Sequence, residues 1–110
     1  MKYFVRDCDR TSTVYHEFQK GHFDGVSFGK EDSLCIHDDV HFNLNLSDLF
    51  LKVIPDYYDA DEIEVTRLQW ERIMAEAALI GGEVEECMKE ADVWARETFA
   101  EYDVFTMIGL

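Results

Sequence analysis

Proline and cysteine are both scarce in this chain, at one and three of 110 residues. Cys8, Cys35 and Cys87 are far apart and odd in number, and none sits in a C-x-x-C pair. That pattern excludes a disulfide framework and a zinc knuckle and fits a reducing compartment. No stretch approaches the ~18 uninterrupted apolar residues of a membrane span. Met1 to Asp7 reads as strand and lacks the apolar run of a signal peptide. A cytoplasmic location is therefore expected. Positive charge is the other shortage: 10 Lys and Arg against 24 Asp and Glu give a net charge of −14. Such a chain repels phosphate, which excludes direct nucleic-acid binding through the backbone. An anionic membrane is a poor partner for the same reason. A basic partner is the natural complement.

Core-forming residues are plentiful, with 47% hydrophobic and 14% aromatic. A domain of this length buries roughly two thirds of the surface its unfolded chain exposes, so disorder is not expected. With no Pro/Ser-rich linker and no internal repeat, residues 1–110 read as a single acidic α+β domain. Charge is uneven along it. Residues 1–55 carry 9 acidic and 6 basic side chains, and residues 56–110 carry 15 and 4.

The first half reads as short strands. Residues 2–6 and 12–18 are rich in aromatic and β-branched types, and Ser33 to His37 is similar. Gly21, Gly25 and Gly29 punctuate the stretch between, with Val26-Ser27-Phe28 as a short strand among turns. Val40-His41-Phe42-Asn43-Leu44-Asn45-Leu46 alternates apolar and polar, the period of a half-buried strand. Asp38-Asp39 before it makes a turn. Ser47 then caps a short helix through Lys52, and Pro55 ends that segment.

The second half changes period. Glu62-Ile63-Glu64-Val65 alternates and closes the sheet. Thr66-Arg67-Leu68-Gln69 fits a capping box. Trp70, Ile73, Met74, Ala77 and Ile80 follow on one helical face. Gly81-Gly82 breaks the chain. Val84, Met88, Ala91, Ala95, Thr98 and Tyr102 form the stripe of a second helix, on which Cys87 reads as a small core residue. Glu85 with Lys89 and Asp92 with Arg96 are correctly oriented i,i+4 pairs. Val104 to Ile108 re-enters the sheet as a strand. The expected fold is α+β, an antiparallel β-sheet packed against a C-terminal pair of consecutive helices.

Catalytic signatures are absent. His37-Asp38-Asp39-Val40-His41 departs from the H-E-x-x-H pattern because Asp38 stands where the base Glu belongs. A metal there would need a third ligand from His16, His22 or an acid elsewhere. The plainer reading is a solvated turn with one outward histidine. Cys35 and His37 lack an oxyanion hole and an orienting group. The glycines match neither G-x-G-x-x-G nor the P-loop. No enzyme activity, catalytic residue, metal ligand or cofactor is expected.

The segment that does stand out is Pro55-Asp56-Tyr57-Tyr58-Asp59-Ala60-Asp61-Glu62, with Glu64 just beyond. Tyrosines offer large, rigid contact area, and carboxylates receive Arg and Lys and speed encounter. Asp56, Tyr57, Tyr58, Asp59, Asp61, Glu62 and Glu64 are therefore candidate partner-binding residues. Glu83 and Glu86, at the Glu-rich start of the last helix, are a second group. Their plainer role is to complement the helix dipole.

A small, acidic, single-domain chain with this segment resembles bacterial toxin-immunity proteins, those of contact-dependent growth inhibition systems and of nuclease bacteriocins. Asp56-Tyr57-Tyr58 is similar to the acid-then-Tyr-Tyr stretch with which colicin DNase immunity proteins grip their toxin. Those proteins are four-helix, whereas this sequence reads as mixed α+β, so the resemblance concerns a recognition surface and not a fold. It implies an immunity protein that occludes the active or substrate-binding site of a cognate basic toxin domain, a nuclease. Two alternatives share the sequence: a nucleic-acid mimic that inhibits a nuclease or restriction system, and a small metal-dependent enzyme using His37 and His41.

Overall fold

A computed structural model describes residues 1–6 and 14–109. Cys8 and the first two residues of the strand expected at 12–18 lie outside that range. The elements run β1 (Phe4–Arg6), β2 (Tyr15–Lys20), β3 (Leu34–His37), α1 (Asp38–Asn43), α2 (Leu46–Val53), β4 (Glu62–Thr66), α3 (Arg67–Ile80), α4 (Gly82–Phe99) and β5 (Val104–Ile108). The strands form one sheet in the order β1-β3-β2-β5-β4, and every pairing is antiparallel. The fold is α+β, with the α3–α4 pair packed on the sheet. Among the described residues, no helix is long and apolar enough to cross a membrane.

The last strand lies between β2 and β4, and all five of its residues are buried. A strand covered on both faces must be apolar or have its polar groups satisfied; four residues of Val104-Phe105-Thr106-Met107-Ile108 are apolar, and the Thr106 hydroxyl donates to the Gly21 carbonyl at 2.8 Å. Phe105 faces the helices and holds the core together. Its ring lies 5.3 Å from Phe18, 5.5 Å from Trp70, 5.3 Å from Trp94 and 5.7 Å from Phe99. Tilted and edge-to-face rings at these separations add to the stabilisation that burial provides.

The helical hairpin forms as its local sequence dictates. Thr66 and Gln69 make both reciprocal bonds of the capping box at the start of α3. Gly81 and Gly82 both take positive φ, at 72° and 55°, which reverses the chain between the helices. Trp70, Ile73, Ala77, Cys87, Met88, Ala91, Ala95 and Thr98 are buried as their stripes require. Met74 and Val84 are half-buried, and Ile80 is exposed. Tyr102 lies beyond the helix, against Gly21. The Glu85–Lys89 and Asp92–Arg96 pairs are present at 3.8 and 2.7 Å.

Over β2 the second face of the sheet is covered by the connection between β2 and β3. Val26-Ser27-Phe28 is not a strand; it belongs to this cover. A buried carboxylate fastens it. Glu17 accepts from the Gly29 amide at 2.9 Å, the Ser33 hydroxyl at 2.5 Å and the Gln19 side-chain amide at 3.1 Å. Gln19 in turn donates to the Ser27 carbonyl at 2.7 Å.

The segment 40–46 is helical and not the strand its alternation predicts. His37 accepts from the Asp39 amide at 3.0 Å and so caps α1, with Asp38 and Asp39 in the first turn. In the helix Val40 and Leu44 fall one turn apart and both pack on the core, while Phe42 points to solvent, 79% exposed. Asn45 then takes a left-handed conformation, φ 57° and ψ 42°, and α2 starts at Leu46. Ser47 is therefore inside α2 and does not cap it.

Side chains occupy amides at both sheet edges. At β1, the Glu90 carboxylate accepts from the Lys2, Tyr3 and Phe4 amides at 2.9, 3.0 and 2.7 Å. At β4, Asp61 takes the Glu62 amide and Gln69 the Thr66 amide, at 2.8 and 2.9 Å.

Glu17→Ala leaves several inward donors without an acceptor. It is expected to lower stability by about 3 kcal/mol in urea unfolding. Limited proteolysis is expected to cut first within residues 21–33 of this variant.

Candidate functional site

One end of the sheet gathers polar groups from four parts of the chain. β2 contributes His16, α1 contributes Asp38 and His41, α2 contributes Ser47, and the 55–61 loop contributes Tyr57 and Asp59. The rings of His16 and His41 stack at 3.9 Å with planes 13° apart, and the two residues are only 3% and 2% exposed. His16 Nε2 lies 2.8 Å from Asp38 Oδ1. His41 Nε2 lies 3.2 Å from the Tyr57 hydroxyl. The Asp59 carboxylate, whose charge acts on the Tyr57 hydroxyl, accepts from Ser47 Oγ at 2.6 Å. His41 with Tyr57 and Asp59 with Ser47 thus form two hydrogen-bonded pairs side by side, the first in the core and the second at the surface.

The electrostatics follow from this burial. Desolvation, and then the facing His16, hold the His41 pKa down at about 4 against an ordinary 6.5. Burial pushes the Tyr57 hydroxyl well up, and the neighbouring Asp59 carboxylate acts in the same direction. For Asp59 partial burial works upward. The Ser47 and Tyr57 hydroxyls and the two histidines outweigh it, and its pKa ends below the usual carboxylate range.

Gly109 fixes the loop to this end. Its amide donates to the Asp61 carbonyl at 3.0 Å, and a Cβ at this position would collide with the Asp59 carbonyl. The loop backbone therefore lies flat against the end of β5.

The segment singled out from the sequence divides in two. Tyr57 is buried and joins the core through Phe50, ring to ring at 5.2 Å. Tyr58 is 65% exposed. Asp56, Asp59, Asp61, Glu62 and Glu64 are exposed, and of these Asp59 is engaged by the Ser47 hydroxyl. Glu62 and Glu64 pair across from Ile108 and Thr106 on the face away from the helices, and Glu64 is bonded to His22. Asp56, Tyr58 and Asp61 thus lie in the loop that leads into β4, and Glu62 and Glu64 follow in the strand itself.

Glu83 and Glu86 are exposed but do not join them. Glu86 accepts from the Tyr3 hydroxyl at 2.9 Å and lies 3.8 Å from Lys2, beside β1. That is the opposite edge of the sheet, roughly 19 Å away at four strand spacings.

His37 and His41 do not converge. His37 serves as the α1 cap and stacks edge-on with Tyr15 at 5.1 Å, while His41 turns inward. His16 takes the place that the four-residue spacing assigned to His37. The sequence does place His16 on an inward strand position, with Phe18 next on the same face, but it does not reveal its neighbour. Among the described residues, His16, Asp38 and His41 are the group whose donor atoms lie close enough to share a metal ion, all within 4.8 Å of one another.

A cavity of about 410 Å³ at the other end of β4 is lined by Arg67, Trp70, Met74, Asp92, Arg96 and Phe99, and holds none of the residues above. Comparison with protein-family models, with curated proteins and with solved structures finds no match.

Two outcomes test this geometry. His41 binds its proton more weakly folded than unfolded, so the unfolded chain takes up more protons between pH 6.5 and 4. Its contribution is whole above pH 6.5 and is lost as pH falls towards 4, by about 3 kcal/mol. Urea unfolding across this range is expected to show that loss in the wild type and not in His41→Gln. Gly109→Ala is expected to cost about 1–3 kcal/mol through the forced displacement of the loop, read in the same assay.

Proposed function

We propose that the protein is a binding module that caps a cationic protein surface with the β4 edge, in the manner of a toxin-immunity protein. The supporting observation is the exposure of Tyr58 among exposed carboxylates. Asp56, Asp61 and Glu62 flank a 65%-exposed aromatic ring on a loop held from beneath by Tyr57 and Gly109. A rigidly presented tyrosine loses little freedom on docking, and the acids around it supply attraction at long range. Net charge of −14 amplifies the encounter rate with a basic partner.

The partner class is a basic nuclease toxin domain, and the mechanism is occlusion. Carboxylates of the β4 edge occupy the Arg and Lys sites that otherwise hold phosphate. Charge governs how fast the complex forms, and Tyr58 governs how slowly it dissociates. No chemical step and no cofactor is involved in capping. The compartment in this reading is the cytoplasm, where an inhibitor of this kind meets its toxin.

The test is binding to a basic nuclease domain encoded beside the gene. Tyr58→Ala is expected to weaken affinity roughly 10- to 100-fold, chiefly through faster dissociation. Reversing Asp56, Asp61 and Glu62 to Lys together is expected to slow association and flatten its salt dependence. Glu83→Lys, on the far edge, is expected to change neither. Affinity indifferent to Tyr58, to the three reversals and to salt would remove the β4 edge from consideration.

A further inference from the structure

We propose that His16, Asp38 and His41 form a binding site for one divalent transition-metal ion of the Zn²⁺ type. The inference concerns the polar end of the sheet and stands whether or not the β4 edge binds a cationic partner.

The donor set is the first argument. Two imidazoles and one carboxylate suit Zn²⁺, Co²⁺ and related ions, and leave a further position for water. The three donor atoms already lie within 4.8 Å of one another, and His16 Nε2 and Asp38 Oδ1 are 2.8 Å apart. Ligands about 2.0–2.2 Å from a tetrahedral zinc stand roughly 3.3 Å from each other. The site therefore needs to contract by at most about 1.5 Å at its widest pair.

Placement is the second argument. His16 is on a paired strand, and Asp38 and His41 are three residues apart on α1, so both inner-facing α1 donors come from one turn. The histidines are 3% and 2% exposed, while the Asp38 side chain is 47% exposed. Two imidazoles are thus shielded, and the carboxylate stands at the solvent end as the route of entry. The surrounding charge attracts cations.

The third argument is the stack itself. Rings with planes 13° apart direct their in-plane lone pairs side by side and not at a common point. Ion capture therefore turns the His41 ring about its Cβ–Cγ bond. The turn gives up the 3.2 Å contact with the Tyr57 hydroxyl. The Tyr57 contact competes with the ion, so its removal does not weaken binding.

The experiment uses the full chain, stripped with chelator, and titrates it with Zn²⁺ alone by calorimetry and with Co²⁺ alone by visible absorption. One ion per chain is expected, with a dissociation constant in the micromolar range or below and a Co²⁺ spectrum of low coordination number. Asp38→Asn, on a half-exposed side chain that folding tolerates, is expected to weaken binding at least 10-fold, and His41→Gln by more. Tyr57→Phe is expected to bind as tightly as wild type or tighter. His22→Gln, at the surface pair with Glu64, is expected to change nothing. Absence of one-to-one binding at about 100 μM metal, or binding indifferent to Asp38→Asn and His41→Gln, overturns the proposal. So does binding abolished by His22→Gln.

Discussion

The central seat of the last strand governs the rest of the molecule. β5 joins β4 to the rest of the sheet, since β4 pairs with β5 and β5 with β2. Phe105 on that strand carries four aromatic contacts, two of them from α4 and one each from β2 and α3. The same strand ends at Gly109, which clamps the loop between α2 and β4. Core packing and presentation of the polar end are therefore one arrangement. The aromatic cluster sets where β5 lies, and β5 sets where Tyr57, Tyr58 and Asp59 lie.

Burial of the His16–His41 pair is the costly part of this arrangement. Polar rings out of water need partners, and here each imidazole has one: Asp38 for His16 and the Tyr57 hydroxyl for His41. The acidic surplus of the chain thus has an inward use as well as an outward one. Two of its carboxylates, Asp38 and Asp59, face the histidines, while Asp56, Asp61 and Glu62 face solvent along one border.

Much of the second half was legible because its signals are local and agree with one another. The Thr66–Gln69 box, the Gly81-Gly82 reversal and the two apolar stripes each point to the same hairpin. Val104 to Ile108 could be recognised as a strand of the sheet because it is rich in β-branched and aromatic residues. The first half was harder for reasons equally physical. Alternation at 40–46 imitates a strand, since a one-turn amphipathic helix with Val40 and Leu44 inward also places Phe42 and Asn43 outward. What decides is the His37 cap, which no period reveals. Tyr57 and Tyr58 are identical in type and adjacent, yet one is buried and the other exposed; the loop path set by Gly109 separates them. The polar end was least legible, because His16 meets Asp38 and His41 only through the β2–β3 pairing, more than twenty residues along the chain. His37, which shares the spacing, is diverted to capping a helix.

The stoppered borders of the sheet have a consequence for the company the protein keeps. A free strand laid against β1 finds the Lys2, Tyr3 and Phe4 donors already committed to Glu90. Laid against β4, it finds both ends of the strand committed to Asp61 and Gln69. Main-chain zippering, the indiscriminate route by which open sheets join one another into fibres, is obstructed at each margin. Whatever associates with this molecule has to read its side chains.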